Sequence, residues 1–230
     1  MVKTLKNTNN KDMKEFEAVV FDLDVVIFDS EIKVIECWKD TAAKYGIAGI
    51  ENACRQCLGL NRDATRARMK EIFGEDFPYD ERKAEMSALF HSRYSGGRLP
   101  LKPGIRGLLS SLQNNNKKIA VASSSRKEYV VGQLTDAGLA DYFDEKVSGD
   151  MVKNSKPHPE IYLTACDRIN VLPENAYAIE DSFNGIRAAA GAGIRTIMVQ
   201  DLVQPDDEIE KLTEAVLESL DKVTEYLKLK

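Results

Sequence analysis

Short apolar runs alternate with amphipathic stretches along most of the chain. Short runs that are apolar apart from Thr196 occur at Ala18–Phe21, Ile119–Ala122, Ala176–Ile179 and Thr196–Val199. Runs of this length that are rich in β-branched residues predict strands buried on both faces of a parallel sheet. Between them, apolar residues recur every three or four positions, which predicts helices. Strands that alternate with helices in this way predict a Rossmann-like, doubly wound α/β fold with a parallel sheet.

One block departs from this rhythm directly after the first strand. Between Ile32 and Leu99 the pattern is helical, with little strand signal, and Pro100 and Pro103 follow it. The economical interpretation is a helical domain inserted into an α/β core. We therefore expect an N-terminal extension at 1–16, a core domain formed by 17–31 and 100–230, and an inserted helical domain at 32–99.

Composition narrows the possible partners. The 230 residues carry a formal net charge of −5 and no long basic run, which argues against a nucleic-acid or anionic-membrane surface. No segment resembles a membrane span, and the polar N-terminus lacks the apolar core of a signal peptide. We expect a cytoplasmic monomer that acts on a small molecule. The single C-x-x-C pair, Cys54 and Cys57, is interpreted as two reduced helix thiols.

The first apolar run leads directly into two aspartates, Asp22 and Asp24. Residues two apart on a strand point the same way, so both carboxylates are expected close together at the strand's C-terminal end, where open α/β sheets bind ligands. Two such carboxylates repel unless a proton or cation intervenes, and an oxygen-rich site suits Mg²⁺. The alternative is a solvated turn, in which aspartate is common.

Three further polar features lie at or near predicted strand ends. They are Ser123-Ser124-Ser125, Lys156-Pro157-His158-Pro159, which is expected to open a helix, and Glu180-Asp181. In a doubly wound sheet these ends share one edge, so acidic residues, a serine and a lysine would meet there. Such a set fits phosphoryl transfer, in which Asp22 would itself attack phosphorus. Each residue also has an ordinary alternative as a helix cap, an exposed lysine or a solvated turn.

These residues, in this order, carry a resemblance to a known family. Asp22-Leu23-Asp24-Val25-Val26 resembles the first motif of the haloacid dehalogenase-like superfamily, in its branch of sugar phosphatases and β-phosphoglucomutases. Ser123, Lys156 and Glu180-Asp181 resemble its second, third and fourth motifs. The resemblance extends from about Glu17 to the C-terminus and implies that the inserted helices form a cap that closes over the site.

The resemblance also implies roles for these residues. Asp22 would be the nucleophile and Asp24 the general acid and base, while Ser123 and Lys156 would hold the transferring phosphoryl group. A Mg²⁺ ion would be bound by the set Asp22, the backbone carbonyl of Asp24, Asp181 and, in or near the first shell, Glu180.

The cap and the adjoining loop carry a second likeness. Gly59-Leu60-Asn61-Arg62 resembles a substrate loop of the β-phosphoglucomutase branch, in which the arginine grips a distal phosphate. The resemblance implies that Lys83 reaches the sugar; the alternative for it is a solvated helix face. We expect Ser124, Ser125 and Arg126 to line the substrate pocket as well.

Two departures from the family pattern bear on the reaction. Val25 stands where this branch usually has glycine, and Val34 stands, by counting, where the mutases place a histidine beside the acid/base aspartate. The second departure favours a Mg²⁺-dependent sugar phosphatase that forms an aspartyl phosphate. The alternatives are a β-phosphoglucomutase-like phosphohexomutase and a non-catalytic phosphate-binding homologue. A dehalogenase would not need the metal site that Glu180-Asp181 offers.

Overall fold

A computed structural model describes residues 15–58, 60 and 62–229 of the chain. Six strands lie in this described part: β1 (Ala18–Phe21), β2 (Lys118–Ser123), β3 (Glu145–Ser148), β4 (Ala176–Glu180), β5 (Arg195–Val199) and β6 (Ala215–Leu217). The α-helices described are α1 (Ser30–Ala43), α2 (Ile50–Gln56), α3 (Arg62–Phe73), α4 (Tyr79–Tyr94), α5 (Ile105–Asn114), α6 (Lys127–Asp136), α7 (Glu160–Arg168), α8 (Phe183–Gly191), α9 (Asp207–Leu212) and α10 (Leu220–Tyr226).

The six strands form one parallel sheet in the order β3-β2-β1-β4-β5-β6. Ala18 of β1 lies opposite Lys118 of β2 on one side and Ala176 of β4 on the other. The chain therefore runs outward from β1 in one direction, returns to β4, and runs outward in the other direction. This topology confirms the predicted doubly wound α/β fold, and its switch point lies between β1 and β4.

The central strand β1 separates two apolar layers. Alternate residues of a strand point to opposite faces, so Val19 and Phe21 belong to one buried cluster, while Ala18 and Val20 belong to another. All four residues of β1 are fully buried. Burial on both faces explains why the strand is an unbroken apolar run, and it fixes the position of the residue that follows, Asp22.

Helices α1 to α4 follow β1, and no strand of the sheet lies between residues 22 and 117 in the described part of the chain. α1 and α4 pack against each other, and Trp38 stacks on Tyr79 with ring centroids 6.0 Å apart. The two crossings between this block and the sheet are joined, because Asp29 N–H donates to the Pro100 carbonyl at 2.8 Å. The assignment of residues 32–99 to a separate domain stays a prediction.

Three local details differ from the sequence-based expectation. β1 ends at Phe21 rather than at Asp24, because the chain turns at once: Ile27 N–H donates to the Leu23 carbonyl at 3.0 Å. Lys156 precedes α7 by a turn instead of opening that helix. β3 was not predicted. Residues 1–14 of the expected extension lie outside the described residues, whereas Phe16 is buried.

Within the described part of the chain, no helix combines the length and the apolar character needed to cross a bilayer.

Candidate active site

The carboxyl ends of three neighbouring strands bring the predicted core residues together. Asp22 directly follows β1, Ser123 ends β2 and Glu180 ends β4. Because β2, β1 and β4 are adjacent, these side chains meet at one edge of the sheet. Asp22 is also tied to β4, since its N–H donates to the Ile179 carbonyl at 3.0 Å. The position of this nucleophile candidate is thus set by the sheet itself.

Lys156 lies at the centre of the buried polar residues. Its Nζ donates to Asp22 Oδ1 at 2.5 Å and to Glu180 Oε1 at 2.6 Å, and only 6% of its side chain is exposed. Burial alone would lower the pKa of Lys156, but the carboxylates of Asp22 and Glu180 raise it well above its usual value. Lys156 is therefore held as a cation that joins two carboxylates.

Glu180 has hydrogen-bond partners at both carboxylate oxygens. Tyr162 donates its hydroxyl to Oε1 at 2.7 Å, beside the bond from Lys156. Oε2 accepts from the Ser182 hydroxyl at 3.0 Å and from the Asp181 N–H at 3.2 Å. Gly185 makes this arrangement possible, because a Cβ there would lie 1.8 Å from Glu180 Oε1. Glu180 is thus fully engaged in positioning its neighbours.

Asp22, Glu180 and Asp181 form the one group of potential metal ligands found among the described residues, with ligand atoms within 4.8 Å of one another. No hydrogen bond to the Asp181 carboxylate occurs in that part of the chain. Burial raises the pKa of Asp22 to about 7, against the lowering effect of Lys156. Burial, and then the charges of Glu180 and Asp22, raise the pKa of Asp181. Three carboxylates facing one ammonium leave excess negative charge, so this donor set fits a divalent cation.

Asp24 faces a cavity of about 530 Å³ that opens beside the sheet edge. Ser125 donates its hydroxyl to Asp24 Oδ2 at 3.1 Å, and Tyr129 donates to Oδ1 at 3.4 Å. Burial raises the pKa of Asp24, while these two hydrogen bonds oppose the rise. A carboxyl that is held in place and has a raised pKa is suited to acid/base work.

The backbone next to Asp24 has an unusual conformation at Val25. Its φ of 70° is in the left-handed region, which a β-branched residue rarely adopts. The Val25 N–H donates to the Ser30 hydroxyl at 3.2 Å, so the first residue of α1 stabilises the turn. The turn that glycine would form without strain is therefore also formed by valine in this chain.

The three serines at the end of β2 and in the following loop differ in burial and in their position relative to the cavity. Ser123 is buried, and its Oγ accepts from the Ser125 N–H at 3.1 Å. Ser124 is exposed, whereas Ser125 and Arg126 line the cavity beside Asp24.

The candidates on the helical block lie apart from this core arrangement. Gly59 is outside the described residues, and Arg62 is exposed at the start of α3. Burial, and then the nearby Arg62 charge, lower the pKa of Lys83 on α4. Within the described residues, neither Arg62 nor Lys83 lines the cavity beside Asp24.

The structure adds residues that the sequence analysis did not single out. Tyr162 and Tyr129 bind Glu180 and Asp24, and Glu31 and His91 line the cavity. A buried tyrosine hydroxyl normally needs a partner, but the burial of Tyr162 is visible only in the structure.

The chain is similar to several known proteins. The family model described as haloacid dehalogenase-like hydrolase matches residues 19–199. The phosphorylated carbohydrates phosphatase of Thermotoga maritima is 34% identical over 189 residues, which cover 79% of this chain and 83% of the relative. The beta-phosphoglucomutase of Bacillus subtilis is 29% identical over 225 residues, which cover 93% of this chain and 98% of the mutase. The crystal structure of CbbY from Rhodobacter sphaeroides in complex with xylulose-(1,5)-bisphosphate has 26% identity and a TM-score of 0.68, covering 89% of this chain and 95% of that one.

The chain belongs to the haloacid dehalogenase-like hydrolase family, as the resemblance of its four motifs indicated. Within that family it is an enzyme, a phosphoric monoester hydrolase.

Proposed function

We propose that this enzyme is a Mg²⁺-dependent phosphatase of phosphorylated carbohydrates that works through an aspartyl phosphate at Asp22. The observation that supports this most strongly is the buried arrangement in which Lys156 joins Asp22 to Glu180, with the Asp181 carboxylate alongside. It provides a nucleophile, a fixed cation and a metal-binding pair within one hydrogen-bonded group.

The metal would be held by Asp22 and Asp181, together with the backbone carbonyl of Asp24. Glu180 fits a supporting role better than a direct one, because Lys156, Tyr162 and Ser182 already engage its carboxylate oxygens. When bound, Mg²⁺ would neutralise negative charge on the carboxylates and on the substrate phosphate.

Four residues of the chain would then each have a separate role in the reaction. Lys156 and the Ser123 hydroxyl would bind phosphoryl oxygens, while a carboxylate oxygen of Asp22 attacks phosphorus and the bond to the leaving oxygen breaks. Asp24 would give its proton to that oxygen, so the product leaves as an alcohol. Asp24, now ionised, would take a proton from water as the water oxygen attacks phosphorus and releases Asp22.

Helices α1 to α4 would act as the cap of this enzyme. Residues from both sides line the cavity, since Val34 and Phe90 come from α1 and α4, and Ser125 and Tyr129 come from the core. Closure would exclude bulk water and admit only substrates that fit. Arg62 and Lys83 would contact the part of the substrate distant from the reacting phosphate.

A phosphohexomutase is the second candidate, because the Bacillus subtilis mutase matches nearly the whole chain. One observation favours the phosphatase. Val34 lines the cavity together with Asp24, and a valine side chain can neither donate nor accept a hydrogen bond. Without a polar partner from that position, Asp24 would be available to activate water.

A panel of phosphorylated metabolites tests the proposal. We expect release of inorganic phosphate from sugar or polyol phosphates with Mg²⁺ present, and none after removal of the metal with a chelator. Turnover that survives exhaustive metal removal would contradict the assigned site. Turnover of only non-carbohydrate phosphates would contradict the substrate class.

A further inference from the structure

His91 projects from the helical block toward the proposed site without a partner of its own. It lies in the last turn of α4 and is exposed, and its imidazole makes no hydrogen bond or ion pair within the described part of the chain. It nevertheless lines the same cavity as Asp24. An unpaired donor and acceptor at the wall of a cavity is free to bind whatever enters it.

The ring of His91 is oriented by its aromatic neighbours. It meets the Tyr129 ring edge-on at a centroid distance of 6.3 Å and the Phe90 ring edge-on at 6.0 Å. Tyr129 in turn donates its hydroxyl to Asp24. The imidazole is thus one aromatic ring away from the carboxyl that would protonate the leaving oxygen, and edge-to-face contacts at these distances are favourable.

The chemistry of the cavity indicates what His91 would contact. The lining combines apolar side chains, Val25, Val34 and Phe90, with polar ones that include Glu31 and His91. A mixed lining of this kind suits a polyhydroxylated carbon chain, which has C–H faces and hydroxyl edges. Arg126 is the lining residue suited to an anion, so a second phosphate would bind there and not at His91.

We infer that His91 is a specificity-determining residue whose imidazole hydrogen-bonds a hydroxyl of the substrate's leaving group. The inference rests on the proposed function, since it assigns a subsite for the alcohol that the phosphatase releases. It assigns recognition close to Asp24 to the last turn of α4, apart from the contacts proposed for Arg62 and Lys83.

The test compares a leaving group that has hydroxyls with one that has none. His91→Phe keeps a ring of similar size and its contact with Tyr129 but removes both nitrogens; His91→Gln keeps a polar group of similar reach. The substrates are the sugar phosphate that the wild-type enzyme cleaves best and p-nitrophenyl phosphate. Ser92→Ala, at the exposed neighbouring position of α4, is the control for general effects on that helix.

We expect His91→Phe to lower kcat/KM for the sugar phosphate by about 10-fold, the value of one hydrogen bond, and to leave kcat/KM for p-nitrophenyl phosphate within about twofold. His91→Gln should recover part of the loss, and Ser92→Ala should match wild type. Equal losses on both substrates, or no loss on the sugar phosphate, would overturn the inference.

Calorimetric binding separates this inference from the proposed function. Sugar phosphates and p-nitrophenyl phosphate are titrated into Asp22→Asn, with and without His91→Phe. We expect His91→Phe to raise the Kd of the sugar phosphate alone by about 10-fold, even if the wild-type enzyme turns over no sugar phosphate. If this selective rise is found and no sugar phosphate is turned over, only the proposed function is contradicted. An unchanged Kd for every sugar phosphate would overturn the assignment of His91.

Discussion

The polar residues at the sheet edge differ in burial and pairing from two candidate residues of the helical block. At the edge, Lys156 and Glu180 are buried and mutually bonded, with side chains 6% and 0% exposed. On the block, Arg62 and His91 are exposed, and neither side chain has an ion pair in the described part of the chain. The difference supports our proposal that the core holds a preformed reaction centre and that Arg62 and His91 are left to bind a substrate.

This contrast predicts that changes at the edge act on the reaction or on stability, and that changes on the block act on substrate choice. Four substitutions test this contrast, and they are given in decreasing order of effect.

Asp22→Asn should lower kcat by about 10⁴-fold or more, because an amide cannot act as the attacking carboxylate. The fold should persist, since the substitution leaves the backbone N–H at this position free to donate to Ile179 as before. Steady-state kinetics on protein purified free of wild type, together with circular dichroism, make the measurement. Near-normal hydrolysis would exclude Asp22 as the nucleophile.

Lys156→Met should destabilise the metal-free protein by about 3–5 kcal/mol, because it leaves the buried Asp22 and Glu180 carboxylates without their shared cation. Denaturant unfolding in the presence of a chelator measures this. The matched control is Lys118→Met, whose partner Asp144 is at 2.9 Å but whose side chain is 54% exposed. The control should lose less than about 1 kcal/mol, and similar losses for the two variants would contradict a preformed buried centre.

Glu31→Gln tests the junction between the two regions. Burial, and then the charge of Asp201, raise the pKa of Glu31 to about 7, although Lys102 opposes this. Between about pH 4.5 and pH 7, Glu31 is therefore protonated in the folded state and ionised in the unfolded state. The free energy of unfolding consequently falls as the pH rises through that window. Removing the ionisable group should make the variant more stable relative to wild type at pH 8 than at pH 5, by about 1–2 kcal/mol.

Unfolding curves at the two pH values, with chelator present, give that difference. An equal effect of Glu31→Gln at both pH values would show that Glu31 titrates normally at the junction.

Arg62→Ala should have the smallest effect, a rise in KM of about 3- to 10-fold that is confined to substrates with a second charged group. Its kcat should stay near that of wild type, because Arg62 is not among the described residues that bond Asp22, Lys156 or Glu180. The KM values of Arg62→Ala and wild type for paired mono- and bisphosphorylated sugars test this prediction. The same rise in KM for both would argue against a phosphate-binding role.

The parts of the fold that the sequence predicted are those with the strongest apolar patterning. β1 and β4 are continuous apolar runs because both of their faces are buried. β3, with the sequence Glu-Lys-Val-Ser, was not predicted, because an edge strand of four residues carries too little pattern. The turn at Asp22 and Asp24 was mistaken for strand, since its conformation depends on Ser30 and on the positive φ of Val25.

The residues of the candidate site also fall into those that the sequence predicted and those that it did not. Its charged members lie next to strand ends, where sequence position alone predicts that they meet. Tyr129, Tyr162 and His91 reach the site from helices, and their approach depends on how α6, α7 and α4 pack against their neighbours. A tyrosine or histidine within a helical pattern gives no indication of that packing, so the supporting residues became visible only in the structure.

The central claim is that water, and not a second sugar hydroxyl, takes the phosphoryl group from Asp22. Incubation with β-glucose 1-phosphate and Mg²⁺, with a trace of the 1,6-bisphosphate added as a primer, tests it most directly when inorganic phosphate and glucose 6-phosphate are followed together. We expect inorganic phosphate to be released faster than glucose 6-phosphate forms. Accumulation of glucose 6-phosphate well ahead of inorganic phosphate would contradict it and identify a mutase.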